Sequence, residues 1–171
     1  MSNEESLVFT EGNTVFFFCD VDEDSVRDLC VALQKLSLKY ETIRIAIQSN
    51  GGDLYPGLAA MDFIRTLHRN VETIVYGFCA SAATFILLGG TKRIMGKNAW
   101  MLIHQMSSEH GGTYQDLKAD MKTNKKIMKQ FREIYTEYSN LTPEQLDEFM
   151  QRDITLSAKK CLKYGIVDEV V

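Results

Sequence analysis

Apolar and polar positions along the chain alternate between short extended runs and helical stripes. Thr14-Val-Phe-Phe-Phe-Cys-Asp-Val21 is dense in β-branched and aromatic residues and predicts a first strand. Between Asp24 and Lys39 the apolar residues Val26, Leu29, Leu33 and Leu36 recur at helical spacing. Thr42-Ile-Arg-Ile-Ala-Ile-Gln48 predicts a second strand, ended by the turn signal Ser49-Asn-Gly-Gly52. Leu58, Met61 and Ile64 mark the inner face of a helix over 54–68. A strand over 71–77, a small-residue helix over 81–88 and strands over 92–95 and 99–105 follow. The longest helix covers 113–139, with the stripe Leu117, Met121, Met128, Phe131, Tyr135 and Tyr138 and with Asp116 suited to its positive end. Thr142-Pro-Glu-Gln145 is a capping box with proline at the first helical position. A helix over 157–164 then stops at Gly165 before a last strand over 166–170. This alternation predicts an α/β fold with a largely parallel sheet.

Size and charge narrow the picture. A chain of 171 residues fits one domain, read as a short segment over 1–13 and a single domain over 14–171. A net charge of −4 disfavours nucleic acid or an anionic membrane as a partner. The lysines at 122, 125, 126 and 129 read as a solvated helix face. Thr73 to Thr91 carries no charge and approaches the roughly 20 residues of a bilayer span. It divides into a β-branched strand, a small-residue turn and a short helix ending at Gly89-Gly90, which predicts a buried strand–helix unit and no membrane span. Met1-Ser-Asn-Glu-Glu-Ser6 has neither a basic nor an apolar region of a signal peptide. Cys19, Cys30, Cys79 and Cys161 form no C-x-x-C pair and read as reduced thiols, so a cytoplasmic location is expected.

Three histidines are available as a general base. His68 closes a polar helix turn and His110 lies in a glycine loop, whereas His104 ends the apolar run Trp100-Met-Leu-Ile103. A polar residue there is either a satisfied core histidine or a base. Ser81 stands at a strand-to-helix junction, as a helix N-cap or as a nucleophile facing free backbone N–H groups. Gly51-Gly52 follows the second strand and reads as a simple turn or as a close backbone approach to a ligand. The glycine pair and Ser81 both fall beyond the carboxyl ends of predicted parallel strands, where α/β sheets place their sites. No Walker loop, dinucleotide fingerprint or metal-spaced Cys/His motif competes, so neither metal nor cofactor is expected.

Ser49-Asn-Gly-Gly52, Gly77-Phe-Cys-Ala-Ser-Ala82, Leu102-Ile-His-Gln105, Gln151-Arg-Asp-Ile-Thr-Leu-Ser-Ala158 and Tyr164-Gly-Ile-Val-Asp168 together resemble the ClpP family of self-compartmentalising serine proteases. The resemblance implies a crotonase-like stack of βαβ units with a protruding strand–helix handle over about 99–139. It implies Ser81 as nucleophile, His104 as base and Asp153 as orienting acid, with the N–H groups of Gly52 and Ala82 as oxyanion donors. It further implies a homo-oligomer of two stacked seven-membered rings, a AAA+ unfoldase of the Clp type that alone uses ATP, and unfolded polypeptides as substrates. Taken apart from the resemblance, Arg152-Asp153 reads equally as a surface ion pair.

The chain departs from the family pattern at three places. Few residues precede the first predicted strand, so the axial hairpin that contacts the unfoldase is expected to be short or absent. Asn50 stands for a proline before the glycine pair, with little expected effect on a donor that belongs to Gly52. Met106 stands for the proline after His-Gln, so the loop into the handle is expected to run differently. Two other functions are open to the same residues. One is a structural or regulatory ring subunit that co-assembles with other ClpP-like chains. The other is an acyl-CoA enzyme of the crotonase fold, which leaves the Ser81–His104 pair unexplained.

Overall fold

The computed structural model describes residues 7–107 and 111–171; residues 1–6 and 108–110, with His110 among the latter, lie outside the described residues. The first half of the chain runs β1 (Val8–Glu11), β2 (Thr14–Phe17), α1 (Glu23–Ser37), β3 (Thr42–Ser49), α2 (Leu54–Thr66), β4 (Asn70–Ala80) and α3 (Ala83–Gly89). The second runs β5 (Lys92–Met95), β6 (Trp100–Leu102), α4 (Tyr114–Glu137), α5 (Pro143–Arg152), β7 (Thr155–Ser157), α6 (Ala158–Lys163) and β8 (Glu169–Val170). β2, β3, β4, β5 and β8 are parallel neighbours in that order, as the alternation predicts. β1 closes one edge as an antiparallel hairpin on β2. β6 pairs in parallel with the far end of β4 and antiparallel with β7.

Two strands escape the hydrophobic pattern. β1 lies among the residues read as preceding the first strand; it turns back through Gly12, at φ +58°, in a two-residue hairpin loop. β7 has only three residues, too few to display a period, and exists because β6 offers it a ladder. Conversely the strand expected over 99–105 contracts to Trp100–Leu102. The uncharged stretch 73–91 splits as expected, β4 ending at Ala80 and α3 beginning at Ala83. Among the described residues no helix is long and apolar enough to cross a membrane.

Strand alternation separates the two faces of the sheet. Val15, Phe17, Ile45, Ile47, Val75 and Met95 are fully buried, together with Leu29 and Leu33 of α1 and Ile86, Leu87 and Leu88 of α3. On the opposite face Thr14, Arg44, Glu72 and Lys92 stand in register across four strands. Ion pairs there join Arg44 to Glu72 at 2.9 Å and Lys92 to Glu169 at 2.5 Å. Side chains this exposed contribute at most about 1 kcal/mol per pair, so the fold rests on the buried face.

The capping boxes locate the helices. Asp22 with Ser25, Thr113 with Asp116 and Thr142 with Gln145 each satisfy otherwise unpaired N–H groups at the start of a helix. Gly165, at φ +64°, ends α6 in the left-handed conformation expected of it. Arg93 fastens the carboxyl-terminal strand: its guanidinium donates to both oxygens of Asp168, at 2.6 and 3.2 Å, and to the Tyr138 carbonyl. Burial works to raise the Asp168 carboxyl, but the hydrogen bonds and charge of Arg93 outweigh it and hold the group below the usual carboxylate range.

Three outcomes follow for stability. Leu87→Ala, at a fully buried position, should lower the unfolding free energy in urea by about 2–5 kcal/mol. Leu38→Ala, at a side chain 78% exposed, should stay within about 0.5 kcal/mol. A depressed carboxyl stabilises the fold above its unfolded pKa and loses that contribution as pH falls through the lower folded value. Asp168→Asn should therefore unfold more readily than the parent at neutral pH, and the gap between them should shrink below about pH 4.

Candidate active site

The site is built where β4 changes neighbours. Residues 72–75 of β4 pair with β5 and residues 78–80 with β6. Between these stretches β4 bulges: Ile47 opposes Val75, yet Ser49 opposes Cys79. Gly77, at φ +68°, takes up the distortion, and a Cβ there would stand 3.0 Å from the Gln48 amide oxygen. The redirected strand delivers Ser81 to the end of β6, where its N–H donates to the Leu102 carbonyl at 3.0 Å.

Ser81 is no helix cap. The N-cap of α3 is Ala82, without a side-chain capping bond, and Ser81 itself sits at φ +53°, a left-handed conformation rare outside glycine. Strain of this kind at a strand-to-helix turn projects a side chain off the end of the sheet. The neighbouring turn holds it there. A Cβ on Gly51 would lie 2.6 Å from the Ser81 Cβ, one on Gly52 2.2 Å from the Val21 carbonyl oxygen, and one on Gly57 2.8 Å from the Ala82 carbonyl oxygen. The glycine pair is thus a close approach of backbone to backbone, and more than a loop. Val21 N–H donates to the Gly51 carbonyl and Asp53 N–H to the Val21 carbonyl, at 2.8 and 2.6 Å. That pairing uses the groups on either side of the Gly52 N–H. Neither Gly52 N–H nor Ala82 N–H has an acceptor among the described residues.

A cleft of about 230 Å³ opens over this turn. Gly52, Ser81 and Ala82 line one side, His104 with Gln105 and Met106 the other, and Phe85, Phe131 and Tyr135 the apolar floor. His104, two residues beyond β6, is half-buried rather than a sealed core residue. His68 is exposed and stands apart from the cleft. The structure therefore brings four of the five expected positions to one cavity.

Asp153 is placed differently. It is exposed, caps α5 at φ +49°, and is not part of the cleft lining. Its relation to His104 comes through the β6–β7 ladder, which pairs Trp100 with Ser157, Met101 with Leu156 and Leu102 with Thr155. Continued two residues in the same register, that pairing sets His104 opposite Asp153. The ladder stops short of them, and among the described residues no hydrogen bond joins Asp153 to His104 or His104 to Ser81.

Cysteine chemistry is disfavoured in the same neighbourhood. Cys79, two residues before Ser81, is fully buried, and burial pushes its thiol far up. Burial likewise pushes Cys161 to about 12, and Cys19 to about 11 with the help of Asp22 and Asp20. Such thiols hold little nucleophilic thiolate near neutrality. All four cysteines are unpaired. Among the described residues no cluster of three or more His, Cys, Asp and Glu side chains stands close enough to hold a metal ion.

Residue patterns alone miss the cleft floor. Phe85, Phe131 and Tyr135 are legible as helical core positions, but which cavity they close depends on α4 packing against α3.

Comparison with known proteins identifies the family. A family model described as Clp protease matches residues 4–171. ATP-dependent Clp protease proteolytic subunit 3 of Streptomyces coelicolor is 33% identical over 155 residues, covering 88% of this chain and 71% of the relative. The proteolytic subunit of Streptococcus mutans is 38% identical over 133 residues, 75% of this chain and 68% of the relative. That of Deinococcus radiodurans is 33% identical over 133 residues, 77% of this chain and 65% of the relative. With the family model matched by residues 4–171 and an α/β fold consistent with it, the chain belongs to the Clp protease family and is a peptidase.

Proposed function

We propose that this peptidase is a serine endopeptidase subunit with Ser81 as nucleophile, His104 as base and Asp153 as orienting acid. The observation that carries the reading is the strained Ser81 turn, which shares one cleft with His104 and with Gly52 and Ala82, whose N–H groups have no acceptor among the described residues. Ser81 Oγ attacks a peptide carbonyl carbon while its proton passes to His104. The C–O bond forms as the carbonyl oxygen gains charge, and the N–H groups of Gly52 and Ala82 donate to that oxyanion. Each such donor contributes about 2.7–4 kcal/mol in the transition state. His104 then returns the proton to the leaving amine as the C–N bond breaks, and water repeats the sequence on the acyl-enzyme. Asp153 holds the imidazole in the tautomer this requires. A polypeptide lying as an added strand beside the segments after Gly52 and after Gln105 would be recognised through its main chain, with loose side-chain preference.

The missing hydrogen bonds between His104 and its two partners are supplied, on this reading, by assembly. The amino-terminal half of α4 protrudes with Tyr114, Leu117 and Met121 exposed, although they continue the stripe that Phe131 and Tyr135 bury. An amphipathic helix with an uncovered apolar face fits a subunit of stacked rings, here a homo-oligomer of two heptamers. An unfoldase of the AAA+ Clp type would feed the chamber and would be the component that hydrolyses ATP. Confinement, more than pocket recognition, then supplies selectivity.

Intact-mass labelling with a fluorophosphonate tests the chemistry. One adduct is expected on the parent and none on Ser81→Ala, whose turnover of a short fluorogenic peptide should fall by about 10⁶ if the three side chains act as a unit. Equal labelling or turnover in the two proteins would remove Ser81 from the mechanism. Native mass spectrometry tests assembly. Paired Leu117→Asp and Met121→Asp substitutions should shift the population toward smaller species, and an unchanged distribution would place the interface elsewhere.

A further inference from the structure

Helix α4 reaches toward both reacting side chains without supplying either. Its inner face presents Met128, Phe131 and Tyr135 at i, i+3 and i+7. Tyr135 is 3% exposed and Thr84 of α3 only 1%. The Thr84 hydroxyl donates to the Ser81 carbonyl at 2.6 Å, which also accepts the Thr84 N–H at 3.0 Å. A threonine hydroxyl carries one proton, so in its contact with Tyr135 the phenol is the donor. A directed chain therefore runs from Tyr135 through Thr84 to the peptide group that carries the strained serine.

The second contact lies two turns back. Met106 N–H donates to the Met128 sulfur at 3.5 Å, and Met106 is two residues beyond His104. The intervening Gln105 N–H donates to the Met150 carbonyl of α5 at 3.2 Å. Gln105 and Met106 form a strap between the cleft over Ser81 and a second hollow, of about 650 Å³, bordered by Leu117, Met121 and Met128. A thioether is a weak acceptor, so the strap is lightly held on the side of α4.

We propose that Tyr135 and Met128 are positioning residues that set the alignment of Ser81 with His104, one through the Ser81 carbonyl and the other through the Met106 amide. The inference rests on the serine reading above. Neither residue's polar atom takes part in bond making. Loss of the Tyr135 hydroxyl takes away the partner that fixes the Thr84 hydroxyl on the Ser81 carbonyl, and loss of the Met128 acceptor lets the histidine strap drift. Each change moves a reacting atom while leaving the floor of the cleft apolar, so turnover suffers more than substrate binding.

The test uses the full chain with Tyr135→Phe, Met128→Leu, their combination, and Met128→Gln, which returns an acceptor of similar reach. Readouts are kcat and KM on a short fluorogenic peptide, the rate of fluorophosphonate labelling, and thermal unfolding. Each single variant should lower kcat and labelling by up to about tenfold, the rate equivalent of one ordinary hydrogen bond. KM should stay within about twofold, as for an interaction realised only in the transition state. Met128→Gln should recover most of the loss seen in Met128→Leu. The double variant should lose less than the product of the singles, because both act on one alignment. Unchanged kcat in both singles, a loss confined to KM, or a loss that tracks a lowered melting temperature overturns the proposal. Amide hydrogen exchange at Met106 reads the strap without turnover: it should accelerate in Met128→Leu and not in Tyr135→Phe, and equal rates in parent and Met128→Leu also overturn it. Ser81→Ala run alongside keeps the two readings apart, since full activity there removes the serine mechanism whatever the α4 variants do.

Discussion

Three residues, Trp100 to Leu102, carry more of the site than any longer element. Their backbone is hydrogen-bonded on both edges, in parallel to the far end of β4 and antiparallel to β7. The first pairing draws Ser81 to the Leu102 carbonyl, and the second puts Asp153 and His104 on facing extensions of one ladder. β6 is short, with Met101 alone of its side chains fully buried, so its two ladders do most to hold it. It depends on the bulge at Gly77 to turn β4 away from β5 and toward it. The nucleophile, base and acid proposed here come from distant parts of the chain, and this one small ladder relates them.

Strain and close packing are two sides of the same arrangement. A serine at φ +53° costs of order 1–3 kcal/mol unless its surroundings determine it. Those surroundings are Gly51, Gly52 and Gly57, each packed so tightly that any side chain would meet the backbone of the Ser81 turn or of Val21, or the Ser81 Cβ itself. The same compression leaves the N–H groups of Gly52 and Ala82 without acceptors among the described residues. The fold thus keeps a strained turn and two available donors at one place, which is what acyl transfer requires.

Helix α4 divides the molecule's interests differently. Its carboxyl-terminal half is part of the core, with Phe131 against Phe85 and Tyr135 bonded to Thr84. Its amino-terminal half leaves Leu117 and Met121 exposed. A rigid helix packed against the site at one end and free at the other offers a physical route by which subunit contact could influence the alignment of Ser81 and His104.

Much of this was legible in the residues. The stripes of α1, α2 and α4, the capping box of α5, the β-branched runs of β3 and β4, and the stop of α6 at Gly165 follow from periodicity and capping, which are local. So was the placing of Ser81 and Gly52 beyond parallel strand ends. The chain alone, however, left Ser81 as cap or nucleophile and left His104 as core residue or base, because both pairs of roles use the same local sequence. β1 and β7 were not legible at all: four and three residues carry no usable period, and each exists only through its partner strand. The amino-acid sequence by itself determined the α/β class, the family and the candidate residues, since these rest on local propensity and on the order of motifs. Only the tertiary structure decided that Ser81 is strained and uncapped, that Gly52, Ala82 and His104 share its cleft, and that Asp153 lies outside it. Those facts depend on backbone register and close approach between segments far apart in the chain, which no local pattern encodes.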